Sequence, residues 1–422
     1  MPCPAFGINY WLFGVDKAHG FLNVPMNILF LYISLGDLSN PGVFADLIKE
    51  FAKHGHNVTV AAPAKVGMKV GLGEEAGIKT LRFKTDQLTG NKSNIKKGLA
   101  YIKLIWQYPQ SIKRYLGKEH FDFIIGHSLP PELGLIIPRL KRMFNAKFYL
   151  QLCEFIWQDS VALGFYKESS LICRYYKWLE ARLIKSADHI GCPSQRNIDF
   201  ALSFHPWAEK KEIHVVNYCL YPVDASSFTN TFRTKYHLED KFVAIYGGSV
   251  NIAQKIENVV SLAESCLEYT GIVFCIIGRG AKIDTIKMDA QERGITNILF
   301  LDYMPQLEYM SLLNSCDVGL VSLNEKLQMP NIPSKTLTLF NLHKPIVASI
   351  DHSTDYGRLL ESIGAGKWCY AGETETFKRN LLSLYEDRDL CKRLGENGYA
   401  YYLNNMVPEK SYQIIMNHIE TV

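Results

Sequence analysis

The chain has 422 residues, 47% of them hydrophobic and 21% charged, which excludes a disordered protein and predicts two or three globular domains. Its net charge of +4 is too small for a dedicated nucleic-acid binder, so no nucleic-acid partner is expected. The charge is uneven, with a net +9 in residues 1–215 and a net −5 in residues 216–422, and the basic half favours a membrane surface or a phosphorylated partner.

The first half of the chain alternates buried strands with amphipathic helices. Residues 1–25 precede this pattern and are interpreted as an N-terminal extension. A strand at Met26–Leu35, a helix at Val43–His54 and a strand at Val58–Ala62 form a βαβ unit with short connections. Further elements of this kind are predicted at Phe121–Gly126, Phe148–Leu152, Leu171–Ser186 and His189–Cys192.

The second half begins the same alternation again. The pattern predicts strands at Phe242–Tyr246, Ile272–Ile277, Ile298–Leu301, Val318–Ser322 and Pro345–Ile350, and helices at Ile256–Tyr269, Gln306–Asn314 and Ser334–Leu342. We therefore predict two tandem Rossmann-like, doubly wound α/β domains that face each other across a cleft. The first spans residues 26–216 and the second residues 217–405, and residues 406–422 form a C-terminal helix that packs back on the first domain.

The ten cysteines are scattered, with no CxxC pair and no His–Cys cluster of zinc spacing. They are interpreted as small buried hydrophobic side chains in a reducing compartment, which favours a cytoplasmic location. No apolar run approaches the roughly 18 residues of a membrane span. Since the sequence also lacks a P-loop, a GxSxG motif and an acidic pair for Mg²⁺, neither a metal nor another cofactor is predicted.

The loops that follow the strands of the second half are the predicted ligand site, because ligands of doubly wound sheets bind at the carboxyl ends of the strands. Ser334, after Pro333, is predicted to cap a helix whose first turn carries Lys335. A helix N-terminus with a lysine attracts phosphate. An ordinary capped helix with a solvated lysine is the alternative interpretation.

Two glycine-containing loops follow neighbouring strands of this half. Glycine lets the backbone approach a ligand closely, and polar side chains come next in both loops. The candidate residues are Gly247, Gly248, Asn251, Gln254, Lys255 and Arg279. Neither loop is a GxGxxG, so nicotinamide binding is disfavoured, and simple tight turns account for either loop taken alone.

Candidate residues of the first half also follow strands. Gly42 opens the first helix, His127 follows the strand FDFIIG, and Glu154 and Asp159 follow the strand FYLQL. A core or capping role for His127 is as plausible as a catalytic one. Glu154 and Asp159 are either a general base or solvated acids of a loop.

A basic stretch between Asn91 and Glu119 contains seven cations and no acid, with aromatic residues among them. Lys96, Lys97, Lys103 and Trp106 are its candidate membrane and acceptor residues. Basic amphipathic segments with tryptophan and tyrosine are typical of proteins that bind anionic bilayers. A solvated helix face is the alternative.

The motifs resemble those of the family-four, retaining glycosyltransferases of the GT-B fold, from Met26 onward. The matching segments are HGHNVTV at 54–60, FDFIIGHS at 121–128, EFIWQDS at 154–160, ADHIGCPS at 187–194, YGGSVNIAQK at 246–255, IIGRG at 276–280 and PSKTLTLFNLHKPIVAS at 333–349. The last segment is the most specific. It is similar to transferases that extend O-antigen or capsule units, including N-acetyl-L-fucosamine transferases.

The resemblance implies a UDP-linked sugar donor, bound mainly by the second domain without a metal and transferred with retention on the donor's front face. It implies that Gly248, Asn251, Gln254 and Lys255 approach the donor phosphates, that Ser334 and Lys335 bind the diphosphate, and that Gly42 and His127 contact the donor from the first domain. The family's Glu-x7-Glu pair would fall at Pro330 and Thr338, neither of which is acidic. Thr338 therefore replaces the ribose-binding carboxylate by a weaker hydrogen-bonding group.

From these observations we predict a glycosyltransferase of bacterial O-antigen or capsule biosynthesis that moves an N-acetylated or deoxy hexose. The expected acceptor is a polyprenyl-diphosphate-linked saccharide, and the expected location is the inner face of the plasma membrane, where the protein is peripheral. Lys335, His127 and Glu154 are the predicted catalytic residues, and either Glu154 or Asp159 is expected to orient the acceptor hydroxyl. The alternatives are a UDP-sugar epimerase of the same architecture and a non-catalytic scaffold that binds sugar nucleotides.

Overall fold

The computed structural model of the protein describes residues 24–85, 94–228 and 231–420. Within them the chain forms two sheets, each built mainly of parallel strands and each covered by helices on both faces. The prediction of two doubly wound α/β domains is therefore confirmed. Nearly all of the predicted N-terminal extension lies outside the described residues.

In its described residues the first domain contains eight strands and six α-helices. The strands are β1 (Asn27–Leu31), β2 (Asn57–Pro63), β3 (Gly71–Glu75), β4 (Ile78–Phe83), β5 (Phe123–His127), β6 (Lys147–Gln151), β7 (His189–Cys192) and β8 (Glu212–Val215). The helices are α1 (Val43–Lys53), α2 (Asn94–Leu116), α3 (Leu133–Phe144), α4 (Ile156–Ala162), α5 (Leu171–Ser186) and α6 (Gln195–Phe204). The sheet order is β3-β4-β2-β1-β5-β6-β7-β8, and only β3 runs antiparallel to its neighbour.

The apolar residues of β1 explain why helices cover both faces of this sheet. Leu29 and Leu31 face one hydrophobic core that includes residues of α2, α3 and α5. Ile28 and Phe30 face a second core that includes residues of α1. A strand with a continuous apolar run is typical of a parallel sheet that is buried on both sides, and burial of all four side chains stabilises the domain by about 1.5–3 kcal/mol for each.

The described part of the second domain contains six parallel strands. After α7 (Phe232–Lys235), its elements are β9 (Phe242–Ser249), α8 (Glu257–Ser265), β10 (Ile272–Arg279), α9 (Ile283–Glu292), β11 (Ile298–Leu301), α10 (Gln306–Asn314), β12 (Val318–Ser322), α11 (Lys335–Asn341), β13 (Ile346–Ile350), α12 (Tyr356–Ser362), β14 (Gly366–Tyr370), α13 (Thr374–Glu386) and α14 (Arg388–Asn405). The sheet order is β11-β10-β9-β12-β13-β14. The order reverses between β9 and β12, which is where doubly wound sheets bind ligands.

The chain returns to the first domain at its end. Helix α15 (Pro408–Glu420) buries Tyr412, Ile415, Met416 and Ile419 in the core that contains α1. Residues 216–224, the expected boundary, contain no helix or strand. The two domains are thus joined twice, once by this connection and once by α15.

Two local expectations were wrong. The sequence pattern missed the β3–β4 hairpin, whose turn is formed by Ala76 and Gly77, both with positive φ. It also ended a strand at Tyr246, whereas β9 continues through Gly247 and Gly248 in register with β10. Glycine was interpreted there as the start of a loop, but a glycine that lies beside another backbone also fits at the end of a strand.

Candidate active site

A cavity of about 650 Å³ lies in the cleft between the carboxyl ends of the two parallel sheets. The first domain contributes Gly42 and Glu154, and the second domain contributes most of the wall. Among the lining residues that the structure describes, Lys335 and Arg279 are the cations and Glu154 is the acid. The cavity therefore carries a net positive charge, which suits an anionic ligand.

Lys335 begins α11 and points into this cavity. Its ammonium nitrogen lies 3.8 Å from the centre of the Tyr246 ring. Burial lowers the pKa of Lys335 to about 7, and no carboxylate in the described part of the chain pairs with it. A desolvated ammonium without a counter-ion is costly, so an anion that binds beside it gains a strong electrostatic contact.

The glycines at the ends of β9 and β10 form the floor next to Lys335. Gly248 and Gly278 are paired in register, and a Cβ atom on Gly278 would lie 1.8 Å from the carbonyl oxygen of Gly248. A Cβ on Gly248, where φ is +142°, would lie 3.6 Å from Nζ of Lys335. The small residues therefore keep space for a ligand beside the ammonium.

Arg279 follows this floor at the last position of β10. Its guanidinium lies 4.2 Å from the centre of the Tyr303 ring, and Tyr303 comes two residues after β11. Both side chains line the cavity, and the Tyr303 side chain is 60% exposed. This cation–π pair forms an open, planar edge of the site.

The polar residues of the loop after β9 have three different placements. Gln254 lines the cavity, and its Oε1 is buried without a hydrogen-bond partner among the described residues. Asn251 lies outside the lining and accepts a hydrogen bond from the backbone N–H of Ala281 at 3.0 Å. Lys255 is also outside the lining, and its Nζ lies 2.6 Å from each carboxylate oxygen of Glu325.

The start of α11 differs from the predicted cap. Ser334 lines the cavity, but its backbone is helical (φ −60°, ψ −22°) and its side chain makes no capping hydrogen bond. The N–H groups of Thr336 and Leu337 donate to the carbonyls of Pro333 and Ser334. Because a cap needs an extended backbone to reach these N–H groups, the prediction of a Ser334 cap was wrong, and the anion attraction of this site rests on Lys335. Thr338, one turn later, lines the cavity and is mostly buried.

Glu154 is the acid of the first domain that faces the cavity. Burial, and then repulsion from Asp159, raise the pKa of Glu154. Its backbone N–H donates to Oγ of Ser128 at 3.0 Å, which fixes the loop after β6. Glu154 is exposed to the cleft, but the surrounding walls desolvate its carboxyl enough to raise its pKa, and such a group is suited to accept or share a proton. The nearby Gly42 lines the same wall at the start of α1.

Asp159, in the first domain, forms hydrogen bonds to the second domain. Its Oδ1 accepts hydrogen bonds from the backbone N–H groups of Gln328 and Met329, both at 3.2 Å. The N–H of Phe155 donates to the sulfur of Met329 at 3.1 Å. These contacts connect the loop that carries Glu154 to the loop that precedes α11.

His127 lies at the end of β5 but is not among the described residues that line the cavity. Its ring packs edge-on against Phe44, and its Nδ1 accepts a hydrogen bond from the N–H of Leu129 at 3.1 Å. Burial lowers the pKa of His127 to about 4, so the imidazole is neutral at pH 7. The start of α1 therefore separates the ring of His127 from the cavity.

The predicted membrane residues lie on α2, apart from the cavity. The side chains of Lys96 and Lys97 are outside the described part of the chain, whereas Lys103 and Trp106 are exposed. Helix α3 packs between α2 and α5 on the same side of the sheet, and Arg139 of α3 donates to the carbonyl of Ile105 in α2. We call the outer side of these three helices the basic face. None of the described helices is long and apolar enough to cross a bilayer.

Several wall residues were not predicted from the sequence. They are Tyr218, Tyr246, Tyr303, Tyr309 and Asn331. Tyr303 follows a strand and could have been found by the rule that was applied to the glycine loops. Tyr309 lies inside a helix, and only the packing of its hydroxyl against Gly247 brings it to the site.

One group of three potential metal ligands occurs among the described residues. It consists of Glu50, His54 and Glu409, where α1 meets α15. Tyr221 and Lys53 already donate to Glu50, and the group does not line the cleft. The absence of a metal from the reaction therefore stays a prediction.

Two facing doubly wound domains with a ligand cavity between their strand ends define the GT-B class of glycosyltransferases. Solved structures of this class superpose over most of the chain. Sucrose-phosphate synthase from Thermosynechococcus elongatus has a TM-score of 0.71 and 14% identity, covering 94% of this chain and 98% of its own. Anabaena HepE with UDP and glucose has a TM-score of 0.66 and 13% identity, covering 94% and 100%. WaaG, a glycosyltransferase of lipopolysaccharide biosynthesis, has a TM-score of 0.62 and 16% identity, covering 92% and 99%.

Two family models match in tandem. Residues 228–401 match "Glycosyl transferases group 1", and residues 43–219 match "Glycosyl transferase 4-like domain". The two models together span most of the chain, which therefore belongs to the glycosyltransferases of the GT-B fold, with a 4-like first domain and a group 1 second domain. This membership disfavours the epimerase alternative.

Curated relatives agree with the family. The probable glycosyltransferase WbjE of Pseudomonas aeruginosa is 27% identical over 290 residues, which are 66% of this chain and 70% of that protein. The putative colanic acid biosynthesis glycosyl transferase WcaI of Escherichia coli K12 is 25% identical over 151 residues, 36% and 37% of the two chains. Both relatives are glycosyltransferases by name, the name of WcaI adds colanic acid biosynthesis, and neither identifies the fucosamine-transferring subgroup.

Proposed function

We propose that the protein transfers a hexose, N-acetylated or deoxygenated, from a UDP-linked donor to a polyprenyl-diphosphate-linked saccharide, with retention and without a metal. The product belongs to O-antigen or capsule assembly. The observation that carries this proposal is the desolvated ammonium of Lys335 above a glycine floor, in a cleft where it meets no carboxylate partner among the described residues. A UDP complex of the structurally similar HepE supports the choice of donor.

In the proposed reaction the bond between the sugar's anomeric carbon and the β-phosphate oxygen breaks, and its electron pair stays on the departing diphosphate. Lys335 and Arg279 stabilise the charge that develops there, as preorganised cations do in a desolvated site. The acceptor hydroxyl oxygen forms the new bond on the same face, and its proton passes to the departing phosphate oxygen. Glu154 accepts a hydrogen bond from that hydroxyl and orients it.

The basic face supports a membrane-bound acceptor. Residues 94–118, 133–147 and 171–186 contain fourteen lysines and arginines and one acid, Glu180. Glu180 is buried and accepts hydrogen bonds from Trp157 and Gln158. Glu168 pairs with Lys177 and Asp188 pairs with Lys141 at the edges of this face, but the fourteen cations leave an excess of positive charge, which is complementary to an anionic bilayer. Location on the inner face of the plasma membrane follows from this partner.

Exposed apolar side chains accompany the cations on this face. Trp106 of α2 and Trp178 and Leu171 of α5 are exposed, and Leu171 is 80% exposed. Such side chains bury themselves at the headgroup boundary of a bilayer. Because Trp157 of α4 is bonded to α5, the basic face is tied to the loop that carries Glu154. A lipid-linked acceptor held at this face would therefore reach the cleft from the Glu154 side.

A product assay tests the function. The protein is incubated with a panel of UDP-sugars and lipid-linked saccharides, and product masses are followed. We expect the acceptor to gain one sugar only when donor and acceptor are both present, and NMR of the product to show the donor's anomeric configuration. Conversion of donor alone would support an epimerase, and binding of UDP-sugars without turnover would support a scaffold.

A further inference from the structure

Two loops at the wall of the second domain are joined by an ion pair. Lys255 follows the 3₁₀ turn Ile252–Gln254, and its ammonium contacts both oxygens of Glu325, which lies in the loop after β12. Burial is the largest single effect on the Glu325 carboxyl and raises its pKa, but the hydrogen bond from Lys255, a backbone hydrogen bond and the charges of Lys255 and Lys326 together leave that pKa below its usual value. The Glu325 carboxyl is therefore ionised at neutral pH.

Backbone contacts extend this connection. The hydroxyl of Ser322 donates to the carbonyl of Lys255 at 2.8 Å. Asn324 donates twice, from its backbone N–H to the carbonyl of Ala253 at 2.8 Å and from its side-chain amide to the carbonyl of Ile252 at 2.9 Å. The segment 252–255 is thus held against residues 322–325 along its length. Lys255 itself has a left-handed backbone (φ +39°), a conformation that this network must maintain.

Gln254 is the side chain that this arrangement presents to the cavity. It lies between the anchored residues and lines the wall, and its Oε1 is buried without a described partner. A buried acceptor without a donor is unfavourable, so a ligand hydroxyl that donates to it gains affinity. A sugar nucleotide carries such hydroxyls on its ribose and on its hexose.

The two lysines of the site consequently have different environments. Lys255 is neutralised by Glu325 and lies outside the lining residues, whereas Lys335 lies in the cavity without a described carboxylate partner. An ammonium that already contacts two carboxylate oxygens has little attraction left for a second anion.

We infer that Lys255 is a positioning residue, which acts through Glu325 to present the amide of Gln254 to a hydroxyl of the donor, while Lys335 takes the charge of the diphosphate. This inference rests on the proposed function. It differs from the expectation from the sequence, in which Lys255 itself approached the phosphates.

A charge-reversal experiment distinguishes the two roles. UDP binding is measured by calorimetry, and donor KM and kcat by product mass, for Lys255→Met, Glu325→Gln and the double variant Lys255→Glu/Glu325→Lys. We expect each single variant to weaken UDP or donor binding by about 3- to 10-fold, as for charged groups in contact, mainly through KM. The reversed pair should recover to within about threefold of the wild type.

Direct contact between Lys255 and the diphosphate would change the kinetic constants in a different way. If Lys255 touched the diphosphate, Lys255→Met and the reversed pair would both lose about 10²- to 10³-fold in kcat, and Glu325→Gln would be nearly neutral. Lys255→Arg keeps the pair and controls for folding, with expected values close to the wild type. Thermal unfolding of each variant identifies any general loss of structure.

A double-mutant cycle with Gln254→Ala tests whether Lys255 affects donor binding through Gln254. If Lys255 acts through Gln254, adding Lys255→Met to Gln254→Ala should cost less than twofold in donor KM. Full additivity of the two changes would overturn the inference. Failure of the wild-type protein to bind UDP or any other nucleoside diphosphate would instead overturn the proposed function together with this inference.

Discussion

The ammonium nitrogen of Lys335 lies 3.8 Å from the centre of the Tyr246 ring, and this contact holds a cation in a cavity where the described residues offer it no counter-ion. The aromatic face replaces part of the hydration that burial removes. Tyr246 is itself fixed, because its hydroxyl donates to the carbonyl of Ser249 at 2.7 Å. The pair is thus preorganised for an anion that arrives with the donor.

Replacement of Lys335 tests this arrangement directly. Lys335→Met keeps the length of the side chain and removes the charge, and we expect kcat/KM to fall by about 10²–10³ because a contact to the departing diphosphate is lost. Lys392→Met, an exposed lysine of α14, is the matched control and should change little. Steady-state assays measure both. Unchanged transfer by Lys335→Met would remove Lys335 from the reaction.

The pH dependence of UDP binding follows from the lowered pKa of Lys335. In the free protein this pKa is about 7, so at pH 8 the side chain is mostly neutral. The diphosphate favours the charged form and raises the pKa in the complex, so binding at pH 8 takes up a proton and affinity falls as pH rises above 7. Calorimetry in buffers of different ionisation enthalpy should show this uptake.

The lowered pKa of Lys335 also affects the free energy of unfolding. The sign is opposite to that for a lysine in an ion pair, whose pKa is raised in the folded state. A lysine whose pKa is lower in the folded state destabilises the fold below pH 7, and this contribution disappears as pH rises toward the unfolded value of about 10.4. Lys335→Met should therefore unfold at a higher temperature than the wild type at pH 6, and the difference should shrink at pH 9. If Lys335→Met still took up a proton when it binds UDP at pH 8, the assignment of that proton to Lys335 would be contradicted.

The glycine floor gives a third prediction. A Cβ on Gly278 would lie 1.8 Å from the carbonyl oxygen of Gly248, so Gly278→Ala must separate β9 from β10 at the cavity. We expect a loss of about 1–3 kcal/mol in the free energy of unfolding and a large loss of UDP affinity. Gly73→Ala, in the β3–β4 hairpin, meets only an ordinary contact at 3.8 Å and serves as control. Full UDP affinity in Gly278→Ala would show that the floor is not used.

The sequence predicted the alternation of elements well because parallel strands that are buried on both faces give continuous apolar runs. It placed Gln254 and Arg279 in loops that follow strands and Lys335 at the start of a helix, and the structure brings these three to one cavity. It did not distinguish Lys255 from Lys335, because the partner Glu325 is 70 residues away in the chain. A long-range ion pair leaves no local periodicity from which it could be inferred.

The predictions for the first domain show the same limit. The position of His127 at a strand end was correct, but packing of Phe44 against its ring, from another element, keeps it behind the wall. Asp159 was a candidate base, and only the approach of the second domain shows that its carboxylate binds Gln328 and Met329. Contacts between domains depend on their relative placement, which residue patterns within one domain do not determine.

The Asp159 contact yields a fourth prediction. Asp159→Ala removes two hydrogen bonds between the domains, and we expect a more open cleft, with a larger radius of gyration in X-ray scattering and a lower kcat/KM. The loss should be about 1–3 kcal/mol in the free energy of closure, because two N–H groups lose their acceptor. Asp159→Asn retains an acceptor oxygen and should be milder, and Asp199→Ala on α6 is the control. An unchanged scattering profile in Asp159→Ala would contradict a closing role.

The basic face yields the last prediction, which concerns membrane binding. Arg174, Arg182 and Lys185 of α5 are exposed cations, and each contributes about 1 kcal/mol to binding at an anionic surface. Reversal of all three to glutamate should weaken cosedimentation with vesicles that contain anionic lipid by at least 100-fold. The wild type should bind vesicles of purely zwitterionic lipid only weakly.

The control for this experiment keeps the net charge the same. Arg358, Lys392 and Arg393 are exposed cations on α12 and α14 of the second domain, and their reversal should leave vesicle binding nearly unchanged. If both triple variants lost binding equally, net charge rather than the basic face would be responsible. Replacement of Leu171 and Ile172 by serine should weaken binding at unchanged net charge, because these exposed side chains of α5 would no longer enter the headgroup region.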